Sequence, residues 1–283
     1  MDGVNLPSLS NDWFATAIIS IVSAVAAGLS LQVIENKITG SKLVNFLIAT
    51  VLLAFTVVLV WYNVIGIVFF GLGRLIENTQ GCGSALSVYR NAVIQNPKFI
   101  PARWGLVECG IRIKRLNEVL NTLEPLQVSL SDSHSYWQGL ALIYYEVGNY
   151  SKMLSAVEQA ADLNPKDSVW MTFLGEQLHR KLRYADAEAV LRVVRTHNGA
   201  DGDAVFWLAW ALYEQGKYQD AIGHFDMCMK LNPSGYNMAR CMSGKGFALH
   251  RLGRYGEAKS LWETSLSLYP NQPDVRTALN QLP

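Results

Sequence analysis

The chain has 283 residues, half of them apolar, so it can bury a core in one or two domains. Its 24 basic residues stand against 23 acidic ones, a balance that gives no electrostatic footing for nucleic acid or another polyanion. Mean hydropathy is positive, and the apolar excess sits mostly in the first 75 residues.

Two runs at the front carry no charged side chain, Trp13 to Ile34 and Leu43 to Gly73. Each exceeds the roughly 20 residues a helix needs to cross a bilayer, and both read as transmembrane helices. The polar link Glu35 to Lys42, with Gly40 as a breaker, is short enough to force an antiparallel hairpin, which puts both chain ends on one side. A cleaved signal peptide is the alternative for the first run. The preceding tail has Asp2 and Asp12 but no Lys or Arg, opposite to a signal's basic start, so the expectation is a retained anchor over 1–65. Ala17, Ser20, Ala24 and Ala27 recur three and four apart and give the first run a low-profile face, for the second span or for a foreign subunit. Trp13, Trp61 and Tyr62 suit the interfacial belts.

Beyond the front the chain repeats. Tyr150, Tyr184 and Tyr218 are 34 apart, and Tyr255 follows after 37, the extra residues falling in the loop after Pro233. Three positions after each Tyr come Met153, Ala187, Ala221 and Ala258; seven after come Val157, Leu191, Phe225 and Trp262. Fifteen after come Pro165, Gly199, Pro233 and Pro270. A period in this range marks stacked supersecondary units rather than an enclosed catalytic domain.

This pattern resembles the tetratricopeptide repeat. Trp137, Leu140, Ala141, Tyr144, Gly148, Tyr150, Ala160 and Pro165 carry it in one unit, and Leu208, Ala209, Leu212, Gly216, Tyr218, Ala221, Phe225 and Pro233 in another. A weaker unit upstream has Lys114, Leu116 and Ser131 where the pattern asks for Gly, Tyr and Pro. A further step back places Ala85, Tyr89, Ala92 and Pro97 on a second helix, and Phe69, Leu72, Gly73 and Ile76 on the first helix before it. That first helix is the overhang of the second span, so span and array are expected to be continuous. The expected fold is all-α: two transmembrane helices, then an α-solenoid of about six helical hairpins over 66–272, and a short capping helix over 273–283 with Asp274 as its N-cap. Gly148, Gly216 and Gly253 are expected to end first helices in the left-handed conformation.

The resemblance implies that first helices line a concave groove for an extended peptide or a partner's helix. Carried over residue by residue, it gives Trp104 and Arg112, then Gln138 and Tyr145, then Glu176, His179 and Arg180, then Phe206, Trp210 and Tyr213, and last Phe247 and Arg251. The alternative for Phe206, Trp210 and Phe247 is packing between units. The Lys and Asn clamp that some relatives use for chaperone tails is missing, since its positions hold Glu, Gln, Leu and Thr.

Cys82, Cys109, Cys228 and Cys241 form no CxxC and no metal-ligand spacing. In stacked hairpins Cys82 can face Cys109 and Cys228 can face Cys241 as disulfides, with free buried thiols the alternative. The five His never pair at helical spacing, and no nucleophile motif or phosphate loop stands out, so no catalytic residue, metal or cofactor is expected. Lys37 and Lys42 in the link put that link in the cytoplasm and the array outside. The expected function is a membrane-anchored scaffold or accessory subunit that binds protein or peptide partners within a membrane complex. Two alternatives are an export or maturation chaperone, resembling bacterial cytochrome c biogenesis factors, and an accessory part of a glycan-transferring enzyme.

Overall fold

The structure is a computed structural model, and it describes residues 64–232 and 235–282. Both expected spans up to residue 63 lie outside the described residues. Among the described residues no helix is long and apolar enough to cross a membrane.

Every described element is helical. The helices are α1 (64–80), α2 (Cys82–Gln95), α3 (Ile100–Arg112), α4 (Leu116–Leu123), α5 (His134–Val147), α6 (Tyr150–Leu163), α7 (Val169–Arg180), α8 (Tyr184–His197), α9 (Gly202–Glu214), α10 (Tyr218–Leu231), α11 (Gly235–Arg251), α12 (Tyr255–Leu268) and α13 (Pro273–Asn280), with one 3₁₀ turn at Glu124–Leu126. They pair in order as six antiparallel hairpins closed by α13, an α-solenoid of tetratricopeptide-like architecture.

One device ends five of the six first helices. Lys114, Gly148, Leu182, Gly216 and Gly253 all have positive φ, and the next residue's amide donates to a carbonyl five positions before it. Examples are Asn149 to Tyr144 at 2.9 Å, Arg183 to Leu178 at 2.9 Å and Lys217 to Leu212 at 3.0 Å. That bond satisfies carbonyls the helix end would leave bare and reverses the chain into the second helix.

Small residues of the first helices face large ones of the second helices, within a hairpin at Gly73, Gly175 and Gly246 and across to the preceding hairpin at Gly105 and Gly244. Gly73 and Gly105 both lie against the Tyr89 ring, Gly175 against Leu191, Gly244 against Phe225 and Gly246 against Trp262; a methyl group at any of them would overlap that side chain. Tyr89, Leu191, Phe225 and Trp262 are fully buried, so the repeat's aromatic position is core throughout. The slot for Tyr89 between α1 and α3 builds the expected earliest unit from residues 64–80 onward.

The closing helix differs from expectation at its start. Gln272, not Asp274, precedes it; Pro273 takes the first helical position and Asp274 falls within the first turn. Pro lacks an amide hydrogen and its φ is preset for a helix, so no side-chain cap is required there. The Gln272 amide instead turns inward and donates to Ser265 Oγ at 2.8 Å and to the Tyr269 carbonyl at 2.8 Å, pinning α13 to α12.

Neighbouring hairpins pack first helix on first helix at α3 with α5, α7 with α9 and α9 with α11. The junction between the third and fourth hairpins is different, because close backbone packing there runs between the second helices α6 and α8.

Candidate functional site: the first-helix face

The first-helix face carries two layers. Its deeper layer is a chain of rings running from His179 on α7 through Trp207, Phe206 and Trp210 on α9 to Phe247 on α11 and Trp262 on α12, with centroid separations of 5.1 to 6.3 Å. Most of these pairs are tilted or edge-on, the arrangement that ring quadrupoles favour. Trp210 is the hub: it touches Phe206, Tyr213, Phe225 and Phe247.

The structure sorts the expected groove residues by depth. Tyr145 and Phe206 are each only 7% exposed and are walls between units, not groove lining. The cause is a cation laid on each ring: Lys181 Nζ sits 3.9 Å from the Tyr145 centroid, and the Arg240 guanidinium 3.9 Å from that of Phe206. Trp104, Gln138, Glu176, His179, Trp210, Tyr213 and Phe247 are half-buried, each with part of its surface left to solvent. Arg112, Arg180 and Arg251 are exposed. Trp210 and Phe247 therefore both pack between units and retain open area. Thr172, which shares the stripe, is buried and donates to Asp201 Oδ2 at 3.1 Å.

The outer layer alternates in charge. Counting by the repeat, the last turns of α3, α5, α7, α9 and α11 present Arg112, Glu146, Arg180, Glu214 and Arg251. Several are already engaged: Arg112 with Glu77 at 3.0 Å, Glu146 with Lys114 at 3.0 Å and Arg180 with Glu176 at 2.8 Å. Arg251 stands over the Tyr218 ring at 5.8 Å, and the phenols of Tyr213 and Tyr218 raise its pKa. A row of alternating sign builds no long-range field of one sign. It suits a partner of mixed charge recognised at contact distance.

Burial lowers His179, with the charge of Arg180 adding to it, and its ring packs edge-on to Tyr184 and tilted to Trp207. Tyr89 donates to Glu77 Oε2 at 2.6 Å, the first cause of that carboxylate's lowered pKa. The Glu77 carboxylate also lies beside Cys82 and Cys109, which makes a three-donor cluster of metal-ligating type. The two sulfurs are joined to each other: Cys82 is disulfide-bonded to Cys109 with Cα atoms 5.0 Å apart, and Cys228 to Cys241 at 5.9 Å. The first ties α2 to α3 and the second ties α10 to α11, each across a junction between hairpins. An open cleft of about 560 Å³ lies between α2 and α4, walled by Ile94, Pro125, Leu126 and the Arg90–Glu118 ion pair.

Sequence reasoning missed Phe173 and Val169, both on α7 and 55% and 76% exposed. The signal was available. In the repeat, Phe173 stands at the position of Gly105, Gly139 and Gly244, where Gly105 and Gly244 face a large side chain on the second helix of the preceding unit. Trp207 holds the same position in the fifth unit and packs on His179 and Phe206, while Phe173 has no ring neighbour of that kind and faces solvent.

Comparison with known proteins agrees with this architecture. Models of the tetratricopeptide repeat match residues 134–167 and 180–235, the hairpin α5–α6 and the stretch from the end of α7 through α10. No curated protein matches the chain. Among solved structures it is similar to YrrB, a TPR protein with an unusual peptide-binding site, at 15% identity and TM-score 0.48, covering 68% of this chain and 97% of that one. It is also similar to MamA from Desulfovibrio magneticus RS-1, at 17% identity and TM-score 0.43, covering 62% and 97%. A third is pilF of Pseudomonas aeruginosa, at 16% identity and TM-score 0.45, covering 78% and 99%.

Proposed function

We propose that the chain is a non-catalytic scaffold that holds an extended peptide segment or a helix of a protein partner along its first-helix face. The observation that carries this reading is the half-open ring cluster of Trp210, Tyr213 and Phe247, flanked by charges of alternating sign. Rings held rigidly by their neighbours present contact area at low entropy cost, and mixed charges at the rim set register rather than attraction at a distance. The finer reading is an accessory subunit of a membrane complex, anchored by the uncharged runs that begin at Trp13 and Leu43. Four cysteines paired into two disulfides favour an oxidising, extracytoplasmic side for the array.

The test replaces Trp210 and Tyr213 together with Ala in the full chain and measures partner retention after gentle solubilisation, with circular dichroism as a control. Loss of retention at unchanged helicity supports the scaffold. Full retention removes the groove from the function. Substoichiometric secretory or cytochrome clients in place of fixed partners point to the chaperone reading. Alkaline extraction tests the anchor: the full chain stays in the membrane pellet, and its release would refute anchoring.

A further inference from the structure

The third and fourth hairpins are joined unlike their neighbours. Their second helices α6 and α8 pack closely, whereas the first-helix side is bridged by individual side chains. Those bridges are His134 edge-on to Trp170 at 6.2 Å, Lys181 over Tyr145 at 3.9 Å and Arg183 over Tyr150 at 4.3 Å. On the second-helix side, His197 Nε2 meets Asp162 Oδ1 at 3.0 Å.

Three independent observations set this junction apart. The first is Phe173, a ring at a position where most units carry glycine; Trp207 holds the same position in the fifth unit but packs on His179 and Phe206, whereas Phe173 is left 55% exposed beside this junction. The second is a pair of buried polar atoms without a hydrogen-bond partner on the two rings that meet at the junction, Trp170 Nε1 and His134 Nε2; the latter lies 3.5 Å from Asp167 without a hydrogen bond. A polar atom left without a partner is costly while buried, and opening would return both atoms to water. The third is the distribution of covalent ties: one disulfide braces a junction in the front half and the other a junction in the rear half, and neither spans this one.

We propose that the junction between α5–α6 and α7–α8 is a hinge. The front three hairpins and the rear three swing about the α6–α8 contact, opening and closing the first-helix face. The Lys181–Tyr145 and Arg183–Tyr150 contacts are the latch, because a cation can leave a ring without leaving a cavity behind.

The hinge is tested with pairs of spin labels in the full chain. All four native cysteines are in disulfides, so introduced thiols label selectively. Glu108→Cys with Glu214→Cys straddles the junction, and Glu214→Cys with Lys259→Cys lies wholly behind it; all three positions are exposed. The straddling pair is expected to give a broad distribution with more than one distance, and the rear pair a narrow single one. Lys181→Ala should shift the straddling pair toward its longer distances, and Phe173→Gly should narrow it toward the shorter ones. A straddling distribution as narrow as the rear one, in the unmodified sequence background, overturns the hinge even if either variant fails to fold.

Discussion

Leu182 occupies the same left-handed backbone conformation as Gly216, with φ of 60° against 77°. Both residues end a first helix, and both precede the amide that closes the reversal. A side chain in that conformation is strained by about 1–2 kcal/mol, and Leu182, at 70% exposure, recovers little by packing. Leu182→Gly is therefore expected to stabilise the array by about 0.5–1 kcal/mol after the entropy of the added glycine is subtracted. Urea denaturation checks this, and an unchanged or lower midpoint refutes the strain argument.

Tyr89 between Gly73 and Gly105 gives the opposite expectation. A Cβ on residue 105 would lie 2.7 Å from Tyr89 Cε1. Gly105→Ala is expected to cost about 1–3 kcal/mol as the ring or α3 is displaced. Gly223 on α10 meets nothing within 4 Å, so Gly223→Ala is the matched control and should gain about 0.5–1 kcal/mol through helix propensity. Equal thermal midpoints for the two variants would count against the slot.

The disulfides close sequence separations of 27 and 13 residues. Restricting the unfolded chain over loops of this size is worth about 3 kcal/mol each. Melting with and without a phosphine reductant should show a fall of several degrees, and mass mapping after alkylation should return the Cys82–Cys109 and Cys228–Cys241 pairs. Alkylation of all four thiols in unreduced protein would contradict the pairing.

Stability should depend on pH through three histidines of opposite sign. Burial lowers His179, helped by Arg180, and burial lowers His224, helped by Arg195 and Arg192. Both are held neutral, so their contribution is present above the ordinary value of 6.5 and is lost as pH falls through their lowered folded values. His197 is raised, first by the Val193 carbonyl and then by Asp162. Its contribution is complete below 6.5 and disappears as pH rises through the raised folded value. Thermal melts across this range should show His179→Gln and His224→Gln flattening the acid limb and His197→Gln flattening the neutral limb. Superimposable profiles would mean that none of the three rings is placed as described.

The repeat period made the hairpins legible because Tyr, Ala and Gly recur wherever backbone geometry leaves little choice. Lys114 and Leu182 broke the glycine pattern, yet their helices end in the same reversal, since a hydrogen-bonded turn can hold a strained residue when the packing on both sides fixes it. Depth on the first-helix face was harder to read. Tyr145 and Phe206 occupy groove positions in the pattern, but Lys181 and Arg240 from the following unit cover them, and a contact made across units has no local signature. Gln272 turning inward to Ser265 escaped for the same reason. Asking which residues break the glycine row would have returned Phe173 together with Trp207, of which only Phe173 is exposed.

Asp201 divides its carboxylate between two hairpins. One oxygen accepts the Ala204 amide at 2.9 Å and starts α9, while the other accepts Ser168 at 2.8 Å and Thr172 at 3.1 Å from α7. The fourth and fifth hairpins thus share one fastening, and trimming the array just before residue 201 would injure the piece retained. Under tension along the array axis, the side-chain bridges between the third and fourth hairpins should part before this carboxylate does, so the protein has a preferred place to yield.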